Sequence, residues 1–89
     1  MGIMNFEFDP GKSLRNQEKH GINFVQGQKL WEDPKLITLK AKLESEARTL
    51  NIGKIGDRLW TAIATYRGEN IRIISIRRAR ENEKALYQK

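Results

Sequence analysis

Arg72-Ile-Ile-Ser-Ile-Arg-Arg-Ala-Arg-Glu-Asn-Glu-Lys-Ala-Leu-Tyr87 is the stretch on which the fold turns. Ile71 to Ile76 is apolar on both faces apart from Arg72 and Ser75, the pattern of a strand covered on both sides within a sheet. A helix is predicted from about Arg78 to Gln88, burying Ala79, Leu86 and Tyr87. Arg77, Arg78 and Arg80 fall where strand passes into helix. Guanidinium groups at the end of a rigid strand make a fork for phosphate oxygens. That geometry suits a protein that holds a nucleic-acid backbone or stabilises charge on a reacting phosphate. Strand alternation groups Arg72 with Ile74 and Ile76, and Arg77 with Ser75. For Arg72 and Arg77 to reach one site, the strand must end or twist near Ser75.

Working back from this stretch, Arg67-Gly68-Glu69-Asn70 reads as a turn. Leu59 to Tyr66 reads as a strand with Trp60, Ala62, Ala64 and Tyr66 on one face, packed beneath a helix. Ile55-Gly56-Asp57-Arg58 is a second tight turn. Arg48 to Gly53 and Leu36 to Ala41 supply two more strands, joined by a charged connection over residues 42–46. At the other end, Asn5-Phe-Glu-Phe8 alternates as a short strand. Asp9-Pro10 then starts a helix, with Asp9 as N-cap and Pro10 in the first turn, and Gly21 closes it after His20. Leu14 is its one large apolar residue, so it is a surface helix presenting Lys12, Arg15, Lys19 and His20. Asn23 and Gln26 form a capping-box variant opening a second helix. Its apolar face is Phe24, Gly27, Leu30 and Trp31, and Asp33-Pro34 ends it. The order is β-α-α-β-β-β-β-α, an α+β class with an antiparallel meander packed by helices.

The chain has 89 residues, 38% hydrophobic and 31% charged, with a net charge of +6 and a pI near 9.9. That length predicts one domain over 1–89 with a small core, a size at which a partner often adds stability. Met4 offers an alternative start to residues 1–3. The basic surplus favours anionic partners. No apolar run approaches the ~20 residues that span a bilayer, and no signal-peptide or myristoylation pattern is present. With no cysteine, disulfides and thiolate metal sites are excluded, and a reducing cytoplasm fits best. One histidine and no clustered carboxylates give no metal motif, so no metal or cofactor is expected.

Two blocks carry a family resemblance. Phe6-Glu7-Phe8-Asp9-Pro10-Gly11-Lys12, Asn16, Lys19-His20-Gly21, Phe24 and Trp31-Glu32-Asp33-Pro34 form the first. Arg72-Ile73-Ile74-Ser75, Arg77-Arg78-Ala79, Glu83 and Tyr87 form the second. In order and spacing, across nearly the whole chain, they resemble the BrnT toxins. That resemblance implies a small bacterial ribonuclease toxin with a RelE-like fold, acting on RNA to arrest translation. It also implies a BrnA-like antitoxin with a ribbon-helix-helix domain, a 2:2 heterotetramer, and operator DNA contacted only through the antitoxin. Three positions depart from the family pattern. Gly27 stands where a small helix former such as alanine is usual, Ile76 where alanine is usual, and Arg80 where a small polar residue is common.

Metal-free RNA cleavage uses the ribose 2′-hydroxyl as nucleophile. It needs a group to move protons and cations to stabilise the phosphorane. His20 suits proton transfer; it also suits a helix C-terminus, where the macrodipole favours it. Arg72, Arg77 and Arg78 suit phosphate clamping; Arg77 could instead pair with Glu81 and Arg80 with Glu83 at helical spacing. Glu83 could accept a proton or orient an arginine, and the orienting salt bridge is the first expectation. Tyr87 either meets RNA, by stacking or through its hydroxyl, or packs in the core. Lys12, Lys19 and Arg80 are candidate RNA contacts. The catalytic set is therefore His20, Arg72, Arg77, Arg78, Glu83 and Tyr87. A basic nucleic-acid-binding module without catalysis is the rival reading.

Overall fold

The computed structural model of the chain describes residues 5–41 and 47–89. The expected connection over residues 42–46 and the alternative start at residues 1–3 lie outside them. The elements follow the order β1 (Asn5–Glu7), α1 (Pro10–His20), α2 (Phe24–Gly27), a 3-10 turn (Gln28–Glu32), β2 (Ile37–Ala41), β3 (Arg48–Ile55), β4 (Arg58–Arg67), β5 (Asn70–Arg78) and α3 (Glu81–Tyr87). They build a mixed α+β structure around one five-stranded sheet of order β1-β5-β4-β3-β2. β2 to β5 form the antiparallel meander, and β1 adds to β5 in parallel. β5 is therefore an interior strand, as its apolar run requires.

α1 and α2 cover one face of the sheet. Beneath them lie Trp60, Ala62 and Ala64 of β4 and Ile71, Ile73 and Ile76 of β5, clustered with Ile22, Phe24, Leu30 and Trp31. Phe6 meets Trp31 and Phe8 meets Phe24 edge to face, with centroids 5.3 and 5.7 Å apart. Such contacts add to the burial of the rings themselves. Tyr66 lies at the rim, 45% exposed, and its hydroxyl accepts a bond from the Trp31 indole N–H at 3.0 Å.

The expected second helix is shorter than its apolar pattern suggests. It is α-helical only to Gly27 and then tightens into the 3-10 turn, which still buries Leu30 and Trp31. Gly27 has a physical reason to be glycine. A Cβ there would collide with the Cδ1 methyl of Ile76 and approach its Cγ1 to 3.4 Å. Gly27 and Ile76 thus lie against each other: the Ile76 side chain occupies the space a Cβ at residue 27 would need.

β5 also differs from a regular strand. Ile63 faces Ser75 but Ala64 faces Ile73, so Ile74 is an extra residue, a β-bulge. A bulge slips the alternation of sides by one. Ile71, Ile73 and Ile76 consequently all reach the helix-covered face, and Arg72, Ser75 and Arg77 the other. This corrects the expected grouping of Arg72 with Ile74 and Ile76. The strand also runs on to Arg78, because Arg77 and Arg78 pair with Thr61 and Trp60 of β4. Ala79 N–H then donates to Leu59 O at 3.0 Å. α3 accordingly begins at Glu81, not Arg78. It packs on the far face with Glu83 buried, while Leu86, expected inside, is 39% exposed.

Candidate functional site

α1 is held in place by polar side chains, which explains its lack of an apolar stripe. Asp9 caps it, Oδ1 accepting from Gly11 N–H at 2.8 Å and Lys12 N–H at 3.4 Å. Those backbone bonds, joined by the nearby Lys12 and Arg15 charges, hold the Asp9 carboxyl below its usual range. Gly21 closes the helix in the left-handed region, φ 78°, its N–H bonded to Gln17 O. Two buried residues face inward, Ser13 and Asn16. Ser13 Oγ accepts from Phe24 N–H at 2.9 Å. Asn16 Nδ2 donates to Ile22 O at 2.8 Å and Ile76 O at 2.9 Å, and its Oδ1 accepts from Ile76 N–H at 3.2 Å. β1 pairs with β5 only as far as Arg72. Beyond that point the Asn16 amide supplies Ile76 with the donor and acceptor a neighbouring strand would give.

Docked in this way, α1 runs beside the bulged part of β5. The groove between them, about 290 Å³, is lined by Lys12, Arg15, Asn16, Lys19, His20, Ile74 and Ser75. Lys12, Arg15 and Lys19 are exposed and His20 is half-buried. Helical spacing of three and four residues sets the three cations in one row. Among the described residues none of the three is in an ion pair. Three cations beside an imidazole, with only the Asp9 carboxylate acting on Lys12 and Arg15 from the start of the helix, can attract a phosphodiester and move a proton next to it.

The arginines of the final strand do not converge. Arg72 donates to Glu7 Oε1 at 3.3 Å, and Asn70 holds the other oxygen at 2.9 Å. Led by the Asn70 bond, these contacts draw the Glu7 carboxyl below its ordinary value. Arg77 makes a two-pronged pair with Glu83, 2.7 and 2.9 Å. Arg72 pairs with Thr65 and Arg77 with Thr61, so about 13 Å of strand separates them. Arg78 points to the opposite face, its guanidinium 5.5 Å from the centre of the Trp60 ring. The single arginine surface expected from the sequence is therefore not built.

Glu83 is the most heavily bonded carboxylate of the chain's final helix. Besides Arg77 it accepts from Arg80 N–H at 2.7 Å and Thr61 Oγ1 at 2.9 Å. The Arg77 bond leads in holding it down to about 2, against the opposing effect of burial, and the same bond raises the Arg77 guanidinium. Glu83 thus orients an arginine, as expected. Its partner is Arg77 across the strand-to-helix join, not Arg80 at helical spacing. Arg80 itself is exposed at the N-cap. Tyr87 neither stacks outward nor fills the core: its hydroxyl donates to Asp33 Oδ2 at 2.7 Å. That bond, chiefly, pushes Tyr87 up to about 12. Burial alone would raise Asp33, but bonds from Tyr87, Lys35 N–H and Lys54 N–H outweigh it and leave the carboxyl lowered.

Of the residues singled out in the sequence, the structure brings together His20, Lys12 and Lys19. It adds Arg15, which the sequence marked only as exposed, and Asn16 and Ser75, to which no role was given. An asparagine in mid-helix where an apolar anchor belongs was the available signal for Asn16. Among the described residues no group of three or more His, Asp or Glu side chains is arranged to hold a metal ion. No helix among them is long and apolar enough to cross a membrane.

A model of the family described as the ribonuclease toxin, BrnT, of type II toxin-antitoxin systems matches residues 8–83. No curated protein matches the chain.

Proposed function

Because the chain belongs to the BrnT family of ribonuclease toxins of type II toxin-antitoxin systems, we propose that it is a RelE-like endoribonuclease that cuts RNA in the groove between α1 and β5. The observation that carries this reading is the grouping of His20 with Lys12, Arg15 and Lys19 above the bulge at Ile74. The cations draw the RNA backbone in and stabilise the extra negative charge of the phosphorane. His20 takes the proton from the ribose 2′-hydroxyl or delivers one to the departing 5′-oxygen. Proton transfer and charge stabilisation are both supplied by side chains, so the reaction runs without a metal ion.

The remaining candidates act at a distance from the groove in this reading. Arg77 and Glu83 fix α3 against the sheet, and Tyr87 fastens its end to Asp33. Arg72 braces β5 against β1 through Glu7. Arg78 and Arg80 are exposed cations that extend the attractive field. In the bacterial cytoplasm the activity arrests translation. A BrnA-like ribbon-helix-helix antitoxin neutralises it in a 2:2 heterotetramer and alone contacts operator DNA.

The test is incubation of purified protein with RNA in EDTA, beside induced expression in cells with and without the adjacent gene. Cleavage in EDTA, and growth arrest relieved by the neighbour, are the expected results. RNA that is bound with a steep salt dependence and never cut would return the chain to the rival class, a non-catalytic basic module.

A further inference from the structure

A second depression adjoins the groove at the α1 terminus. His20 lines the groove and Gly21 lines the depression, so the two meet at consecutive residues. The depression holds about 250 Å³, somewhat under the roughly 300–1,000 Å³ of drug-sized ligand sites. Its walls are of two kinds. Ile22, Ile55 and Trp60 give it an apolar floor; Lys29 and Arg58 stand at the rim. Lys29 and Arg58 are exposed, and among the described residues neither is in an ion pair. The Gln26 side chain also lines it, but its Oε1 is occupied by Asn23 N–H at 3.0 Å. The rim side chains therefore offer donors. Arg78 does not line it, but its guanidinium lies over Trp60, 5.5 Å from the ring centre, and adds a further positive charge nearby.

We propose that this depression is a nucleobase subsite that selects guanine in the nucleotide next to the scissile phosphate. A flat ring enters against Ile22, Ile55 and the Trp60 side chain that line the depression, as unstacked RNA bases pack on aromatic side chains. Lys29 and Arg58 then meet the edge of the ring. On the Hoogsteen edge only guanine carries two adjacent acceptors, O6 and N7, and Arg or Lys bound to that pair is the commonest base-specific contact. On that edge adenine and cytosine would each set an amino donor against a cation. The apolar floor also gives a base somewhere to go that a phosphate would avoid.

This inference rests on RNA occupying the groove, and its test is kept separate from cleavage. Short 2′-O-methyl RNAs lack the nucleophile and cannot be cut. Two such oligonucleotides, one with a single guanine and one with adenine in its place, are titrated into the protein by Trp fluorescence. The parent should bind the guanine form about tenfold more tightly. In the double variant Lys29→Ala/Arg58→Ala that ratio should fall toward one, with circular dichroism unchanged because both residues are exposed. Equal affinities in the parent, a preference for adenine, or a guanine preference that survives the double substitution would each overturn the subsite. Failure of both oligonucleotides to bind would overturn the RNA reading together with it.

Discussion

Replacing Gly27 by alanine should destabilise this protein, although alanine is the better helix former. Gly27 sits at φ −65° and ψ −20°, a conformation any residue adopts, so backbone freedom does not require glycine. Helix propensity alone would favour alanine by up to about 1 kcal/mol. The new Cβ would, however, lie within the Ile76 Cδ1 methyl, and Ile76 is fully buried. Overpacking of this kind costs ~1–3 kcal/mol, so the net loss is about 1–2 kcal/mol. Ile76→Ala alone should cost about 2–5 kcal/mol through lost burial and a residual cavity. In that background the collision is gone, and Gly27→Ala should become neutral or stabilising. The four proteins form a double-mutant cycle with an expected coupling of about 2 kcal/mol. Urea denaturation reads it directly. Thermal midpoints should follow at about 4–8 °C per kcal/mol for a chain of this size. If Gly27→Ala costs the same whether residue 76 is isoleucine or alanine, the packing argument is wrong.

Two other expectations concern what holds α3 and α1. The Glu83 carboxyl lies at about 2 in the folded chain against an ordinary 4.5, with Arg77 as the main cause. A depressed carboxyl contributes fully above its unfolded value and loses that contribution as pH falls toward the folded one. The unfolding free energy read from urea curves should therefore drop between pH 4.5 and about 2, by on the order of 3 kcal/mol from this group. Glu83→Gln should flatten that part of the profile, and an unchanged acid limb would remove Glu83 from the account. Asn16→Ala should cost on the order of 3 kcal/mol, because it strands the buried N–H and C=O of Ile76 and the C=O of Ile22. Hydrogen exchange should show the Ile76 amide losing protection ahead of Ala62 and Ala64. Equal protection in the variant would mean that water replaces the side chain without cost.

The order of elements was readable because each carries its own local chemistry. Asp9-Pro10 and Gly21 punctuate α1, Asn23 and Gln26 open α2, and Gly56 and Gly68 mark turns where φ is positive. The site was less readable, because it depends on how elements meet. Nothing in Ile73-Ile74 distinguishes a bulge from a regular apolar pair, yet that bulge decides which way every later side chain of β5 faces. Arg77 and Glu83 are six residues apart, a spacing that pairs neither along a helix nor along a strand. They meet because the chain leaves β5 at Arg78 and turns back through Ala79 onto Thr61. The cationic row of α1 was visible as a surface. Its partner was not, since the Asn16 amide that ties the row to β5 bonds to a residue sixty positions away.

The most direct test of where the chemistry happens is the single-turnover rate of RNA cleavage in EDTA for the parent, His20→Ala and Arg72→Ala. With the site between α1 and β5, His20→Ala should slow cleavage by about 10²–10⁴-fold, the usual weight of a general acid or base. Arg72→Ala, which only releases Glu7, should stay within a few-fold of the parent. A parent rate in His20→Ala with a collapsed rate in Arg72→Ala would put the reacting phosphate at the far end of the sheet and contradict the account.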